Sequence, residues 1–117
     1  PKERSSSTLW IGVDLDKQEG EFRLLSETVE LFSLELGTAN VEEIPNRATY
    51  RFQGKAAGKA NFVVWWFEAQ LSPSDPSVVL TNAPNCIDAR HEATCWGQAA
   101  AELPSAASVV AGEVVEI

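Results

Sequence analysis

The 117-residue sequence has no methionine, one histidine and two cysteines, and its nine Lys and Arg face 17 Asp and Glu. Each shortage removes a class of function. At a formal net charge of −8 the chain lacks the basic stripe that holds phosphates, so no nucleic-acid partner is expected. The acidity serves solubility and favours basic partners, with a gain in on-rate that salt screens. His91 with Cys86 and Cys95 is too small a ligand set for a zinc site at standard spacing, and the cysteines form no CxxC pair. A disulfide between them would close a short loop. A reduced intracellular pair is the expected state, and both alternatives stand at this point. No run approaches the ~20 apolar residues that cross a bilayer, so no membrane partner is expected. Residues 1–8, Pro-Lys-Glu-Arg-Ser-Ser-Ser-Thr, lack the apolar centre of a signal peptide. They also lack an initiator Met, so the chain is expected to be a piece of a larger protein. Gly-rich phosphate loops, HExxH, G-x-S-x-G and G-x-G-x-x-G are missing as well.

What is present is ordinary globular material, 44% hydrophobic and 22% charged, enough for one core. Residues 1–8 read as a flexible lead-in and 9–117 as a single β-barrel-like domain. The most informative stretch is Asn61 to Leu71. Its odd positions (Val63, Trp65, Phe67, Ala69, Leu71) make one apolar face, while its even positions run Phe62, Val64, Trp66 and then Glu68, Gln70. Period-two alternation of this kind predicts a strand over 60–71. Phe62 and Trp66 on the mixed face need cover, which makes them candidate interface residues.

Around this run, strands are expected at 9–15, 48–53, 77–81, 109–111 and 114–117, separated by turn signals such as Ser72-Pro73-Ser74-Asp75-Pro76. Residues 22–36 fit either a helix or strands flanking a bulge. Residues 94–103 fit a strand or, through the alanines at 99–101, a helix that Pro104 ends. With no βαβ rhythm, the fold class is mainly β, an antiparallel β-barrel or distorted sandwich.

Chemistry is sparse. Cys95, His91 and Asp88 make a cysteine triad on paper, but triads converge in space rather than within one short loop. Glu42-Glu43 has no apolar surroundings to raise either pKa and reads as a solvated pair. Four Trp are many for this length. Trp65 falls on the core face, whereas Trp66 and Trp96 are candidates for a binding surface or for ordinary core.

The order of segments resembles the C-terminal β-barrel domain of protein arginine methyltransferases. Trp66-Phe67-Glu68-Ala69-Gln70-Leu71 is followed by Leu80-Thr81-Asn82-Ala83-Pro84, then Thr94-Cys95-Trp96-Gly97-Gln98, then Val109-Val110-Ala111-Gly112-Glu113. The resemblance covers roughly residues 24–113. It implies that a separate catalytic domain binds S-adenosylmethionine, that this chain carries no cofactor, and that Thr94, Cys95 and Trp96 line the substrate arginine's pocket. It also implies an Arg-rich protein substrate, a catalytic methyltransferase domain or a second copy of the chain as partner, and an intracellular location, cytoplasmic or nuclear. Cys95 stands where the family has His, and a thiol is a weak donor. Only a short turn separates Leu15 from Phe22, where the family often inserts a dimerisation arm, and the chain stops before the family's final strands. These departures resemble a degenerate type III module or a prozyme-like paralogue. The rival expectation is a free-standing β-sandwich module for a ligand or carbohydrate, displaying a row of exposed Trp. A cysteine-dependent enzyme built on Cys95 is a third.

Overall fold

The computed structural model describes residues 10–18, 20–38, 40, 42, 44, 48–88 and 97–117. Among them the chain is almost wholly extended: seven strands and one 3-10 turn at Leu15–Gln18. The strands are β1 (Trp10–Val13), β2 (Arg51–Gln53), β3 (Gly58–Trp65), β4 (Glu68–Gln70), β5 (Val79–Thr81), β6 (Gln98–Val109) and β7 (Val114–Glu116). They form a three-stranded sheet in the order β1-β6-β3 and two-stranded sheets β2-β7 and β4-β5. The fold is mainly β, as expected. Among the described residues no sheet closes into a barrel, and the small antiparallel sheets fit a distorted sandwich. The chain divides into two compact units, Pro1–Arg23 with Asn61–Ala106, and Leu24–Ala60 with Ala107–Ile117.

In the first unit, β1 runs antiparallel to β6, with Trp10 opposite Ala101, Ile11 opposite Ala100, Gly12 opposite Ala99 and Val13 opposite Gln98. The helical option for 98–102 is therefore overturned. Alanine's helix preference is worth only a few tenths of a kcal/mol per residue. Pairing β6 on both sides, with Ala100 2% exposed, outweighs it. Pro104 does not end the element either, since β6 continues to Val109. Proline is tolerated where a strand has no ladder bond to donate, and Pro104 lies beyond the last described β1 pairing at Ala101.

The strand expected over 60–71 is two strands. β3 pairs within the three-stranded sheet and β4 pairs with β5, Ala69 opposite Leu80. Trp66 and Phe67 are the corner where the chain changes sheets, and bends of this kind build sandwich edges. In the three-stranded sheet β3 is an edge and β6 is the middle strand. The β4–β5 hairpin closes through Asp75, whose Oδ1 accepts from the Ser77 N–H at 3.0 Å and Oγ–H at 2.6 Å. Those two bonds hold the Asp75 carboxyl below its ordinary value of 3.8.

In the second unit, β2 and β7 pair Phe52 with Val115. The ladder extends through mutual Tyr50 and Ile117 backbone bonds of 2.8 and 2.9 Å. Gly54 sits where three segments meet. Its N–H donates to Glu113 O at 2.8 Å, its carbonyl accepts from Gly112 N at 2.9 Å, and it bridges to Ser26. A Cβ at Gly54 would strike the Val110 carbonyl oxygen, so only glycine permits that approach. Residues 22–36 form neither a helix nor paired strands; one bridge at Ser26 is all the ladder they make. Their backbone is held instead at points, by Glu27 N–H to Gln53 O and by the Tyr50 hydroxyl, which donates to Leu31 O at 2.6 Å.

Candidate functional site

Three of the quoted motif segments converge on one residue of the first unit. Asn82, which follows β5, is 8% exposed, and an amide buried in a sheet corner must satisfy both its ends. Asn82 Oδ1 accepts from the Phe67 N–H at 2.9 Å, and Nδ2 donates to Gly97 O at 2.7 Å. Its own carbonyl accepts from Gln98 Nε2 at 2.7 Å, while Gln98 Oε1 accepts from Leu15 N at 2.9 Å. Buried Thr81 completes the cluster: its hydroxyl donates to Phe67 O at 2.7 Å and accepts from Ala83 N at 3.1 Å. No buried side-chain nitrogen or oxygen lacks a partner among the described residues.

The consequence is geometric. Phe67, freed from its ladder by the change of sheet, has both backbone groups bound by side chains from the end of β5. Gly97 is held by Asn82 and packed so closely on Val13 that a Cβ there would strike the Val13 carbonyl oxygen. Satisfied networks of this type rigidify the segments they join. Gly12, Val13, Asp14, Phe67, Asn82, Gly97 and Gln98 line a shallow concavity of about 650 Å³. Its only acid, Asp14, is bridged at 3.9 Å by Lys17, and both side chains are substantially exposed, so the pair contributes little.

Thr94, Cys95 and Trp96, expected in the substrate pocket, lie outside the described residues, as does His91. Gly97, the next residue in the chain, is in place. Asp88 is half-buried, and the cysteine triad drawn through it falls with His91 and Cys95 outside the described part. Phe62 is 50% exposed. Trp66 and Trp65 are both half-buried within the chain itself, so Trp66 is partly covered without a partner. Of the described Trp, Trp10 is the widely exposed one at 65%, which is not the row a carbohydrate platform would present. Among the described residues no group of three His, Cys, Asp or Glu could hold a metal ion. The sequence reading missed the joint role of Thr81, Asn82 and Gln98. The available signal was that polar residues inside apolar strand ends require partners.

These features define a mainly β accessory domain, with a stiff internal clamp and exposed apolar side chains. A family model described as the arginine methyltransferase oligomerization subdomain matches residues 9–117; the chain belongs to this family and is an assembly domain of the C-terminal arginine methyltransferase type. Compared with curated proteins and with solved structures, the chain gives no match.

Proposed function

We propose that the chain completes the substrate cleft of an arginine methyltransferase-like protein and scaffolds its assembly, without transferring methyl groups alone. The observation that carries this is the Asn82–Gln98 clamp, which fixes Gly97 directly after Thr94-Cys95-Trp96. In this reading Trp96, the residue before that fixed point, contributes a cation–π attraction to a guanidinium of about 0.5–2 kcal/mol. Cys95, a weak donor in the position of the family's His, would leave the cleft without a charged partner for the catalytic domain, the mark of a degenerate or prozyme-like copy. S-adenosylmethionine supplies the methyl group and belongs to the separate catalytic domain, whose motifs are absent from this sequence. Phe62 and Trp66 face that domain, and a second copy of the chain is the other partner in assembly. An Arg-rich substrate suits the −8 charge, and a cytoplasmic or nuclear location suits the free thiol of Cys86. Calorimetry tests the division of labour: the isolated chain should give no heat with S-adenosylmethionine, and tight binding would overturn the reading. In the parent protein, Trp96→Ala should weaken binding of an arginine peptide while leaving the thermal midpoint in place; unchanged binding would remove Trp96 from the cleft.

A further inference from the structure

The β1 strand is an edge of its sheet, and among the described residues nothing pairs with its outer side. Exposed edges are templates for another strand and are normally blunted by charge, proline or a bulge. β1 has none of these: Trp10-Ile11-Gly12-Val13 is uncharged in a chain of net charge −8. Trp10 is 65% and Ile11 55% exposed, one on each face of the strand.

The row beside Trp10 is shaped to receive a large ring. Gly12 pairs with Ala99 on that face, and Trp10 with Ala101. A Cβ built at Gly12 meets no atom within 4 Å. The surface is therefore a floor of small residues with a Trp at one end. Two antiparallel strands related by a two-fold axis must place residues of equal parity opposite each other, because facing residues share a side of the sheet. Centring the axis on Ile11 puts Ile11 against Ile11 and Trp10 of each copy over Gly12 and Ala99 of the other. Centring it on Gly12 would instead set Trp10 against Asp14. The first register buries both exposed apolar side chains and keeps both carboxylates outside the Trp10–Gly12 pairing.

We infer that β1 is the self-association edge of this domain: two copies pair β1 antiparallel about Ile11, with each Trp10 seated on the Gly12–Ala99 floor of the other. The inference rests on the assembly role assigned above and names the surface that performs it. The contact is isologous, so it closes as a dimer rather than a filament.

Sedimentation of the full chain reads it out. Gly12→Leu fills the floor in open space, so the monomer should keep its thermal midpoint while the dimer dissociation constant rises at least tenfold. Ile11→Lys should do the same through like charges on the axis. In a Cys86→Ser, Cys95→Ser background, Ile11→Cys should oxidise to a covalent dimer, because facing strand residues lie within disulfide reach. A dimer that persists undiminished in Gly12→Leu and Ile11→Lys would overturn the β1 edge and leave the assembly role intact on another surface. A wild-type chain that stays monomeric at high concentration would overturn the β1 edge and leave the catalytic domain as the partner in assembly.

Discussion

Asn82 and Gln98 hold each other across 16 positions of sequence. Gln98 Nε2 donates to the Asn82 carbonyl, and Asn82 Nδ2 donates to the carbonyl of Gly97, the residue before Gln98, both at 2.7 Å. The reciprocity means that neither end of the clamp moves without breaking the other. It also joins two of the segments that carry the family resemblance, so those segments record a structural joint.

Removing the clamp should be costly. Asn82→Ala removes the acceptor of the Phe67 N–H and the donor to the Gly97 carbonyl, two part-buried bonds, and should destabilise by about 1–3 kcal/mol. Urea titration with unchanged slope would register it as a shift in midpoint. A loss below about 0.5 kcal/mol would mean that solvent reaches both groups.

Asn82→Asp turns the same site into a pH probe. One carboxylate oxygen still accepts from Phe67 N–H, but the other faces the Gly97 carbonyl, which only a protonated acid can satisfy. Burial and that contact raise the folded pKa above the unfolded value of about 3.9. The variant's stability relative to wild type is thus highest below about pH 4 and falls as pH rises through the folded pKa. Matched denaturation curves at pH 4 and pH 7 check the sign; a relative stability that rises with pH contradicts it.

Packing at the strand pair makes a further test. Ala100 is fully enclosed opposite Ile11, and Ala100→Leu should overpack the sheet by about 1–3 kcal/mol. Gly97→Ala should cost at least as much, because its Cβ meets backbone rather than a movable side chain. Thermal melts of both variants provide the comparison.

The surface ion pair should matter little. Arg51 Nε lies 3.1 Å from Glu116 Oε2, but both side chains are more than half exposed, and such pairs contribute about 0–1 kcal/mol. Arg51→Ala should shift the melting midpoint only slightly, and less still in high salt. A large loss would show that the Arg51 stem supports the β2–β7 ladder by packing.

Phe62 and Trp66 separate association from stability. Phe62→Ser, at a half-exposed position on the edge strand opposite β1, should weaken binding to a catalytic domain with little change in melting. Trp66→Ala should lower both, since the ring is half-buried in its own chain. Cys95→His should be accepted by the fold if position 95 belongs to the cleft; a failure to fold would place Cys95 in the core.

Local pattern alone determined the strand-rich class, the turn at Ser72–Pro76 and the order of motifs that names the family, because period-two alternation and proline turns are short-range signals. It was blind where neighbours decide. Ala99–Ala101 favours a helix in isolation and becomes strand only because β1 and β3 flank it. The run from Asn61 to Leu71 looks continuous in alternation, yet it breaks at Trp66–Phe67, where Thr81 and Asn82, remote in sequence, bind both backbone groups of Phe67. Which polar residues are buried, and which apolar ones are left at an edge, depends on what the chain brings alongside them. That was settled only by the tertiary structure.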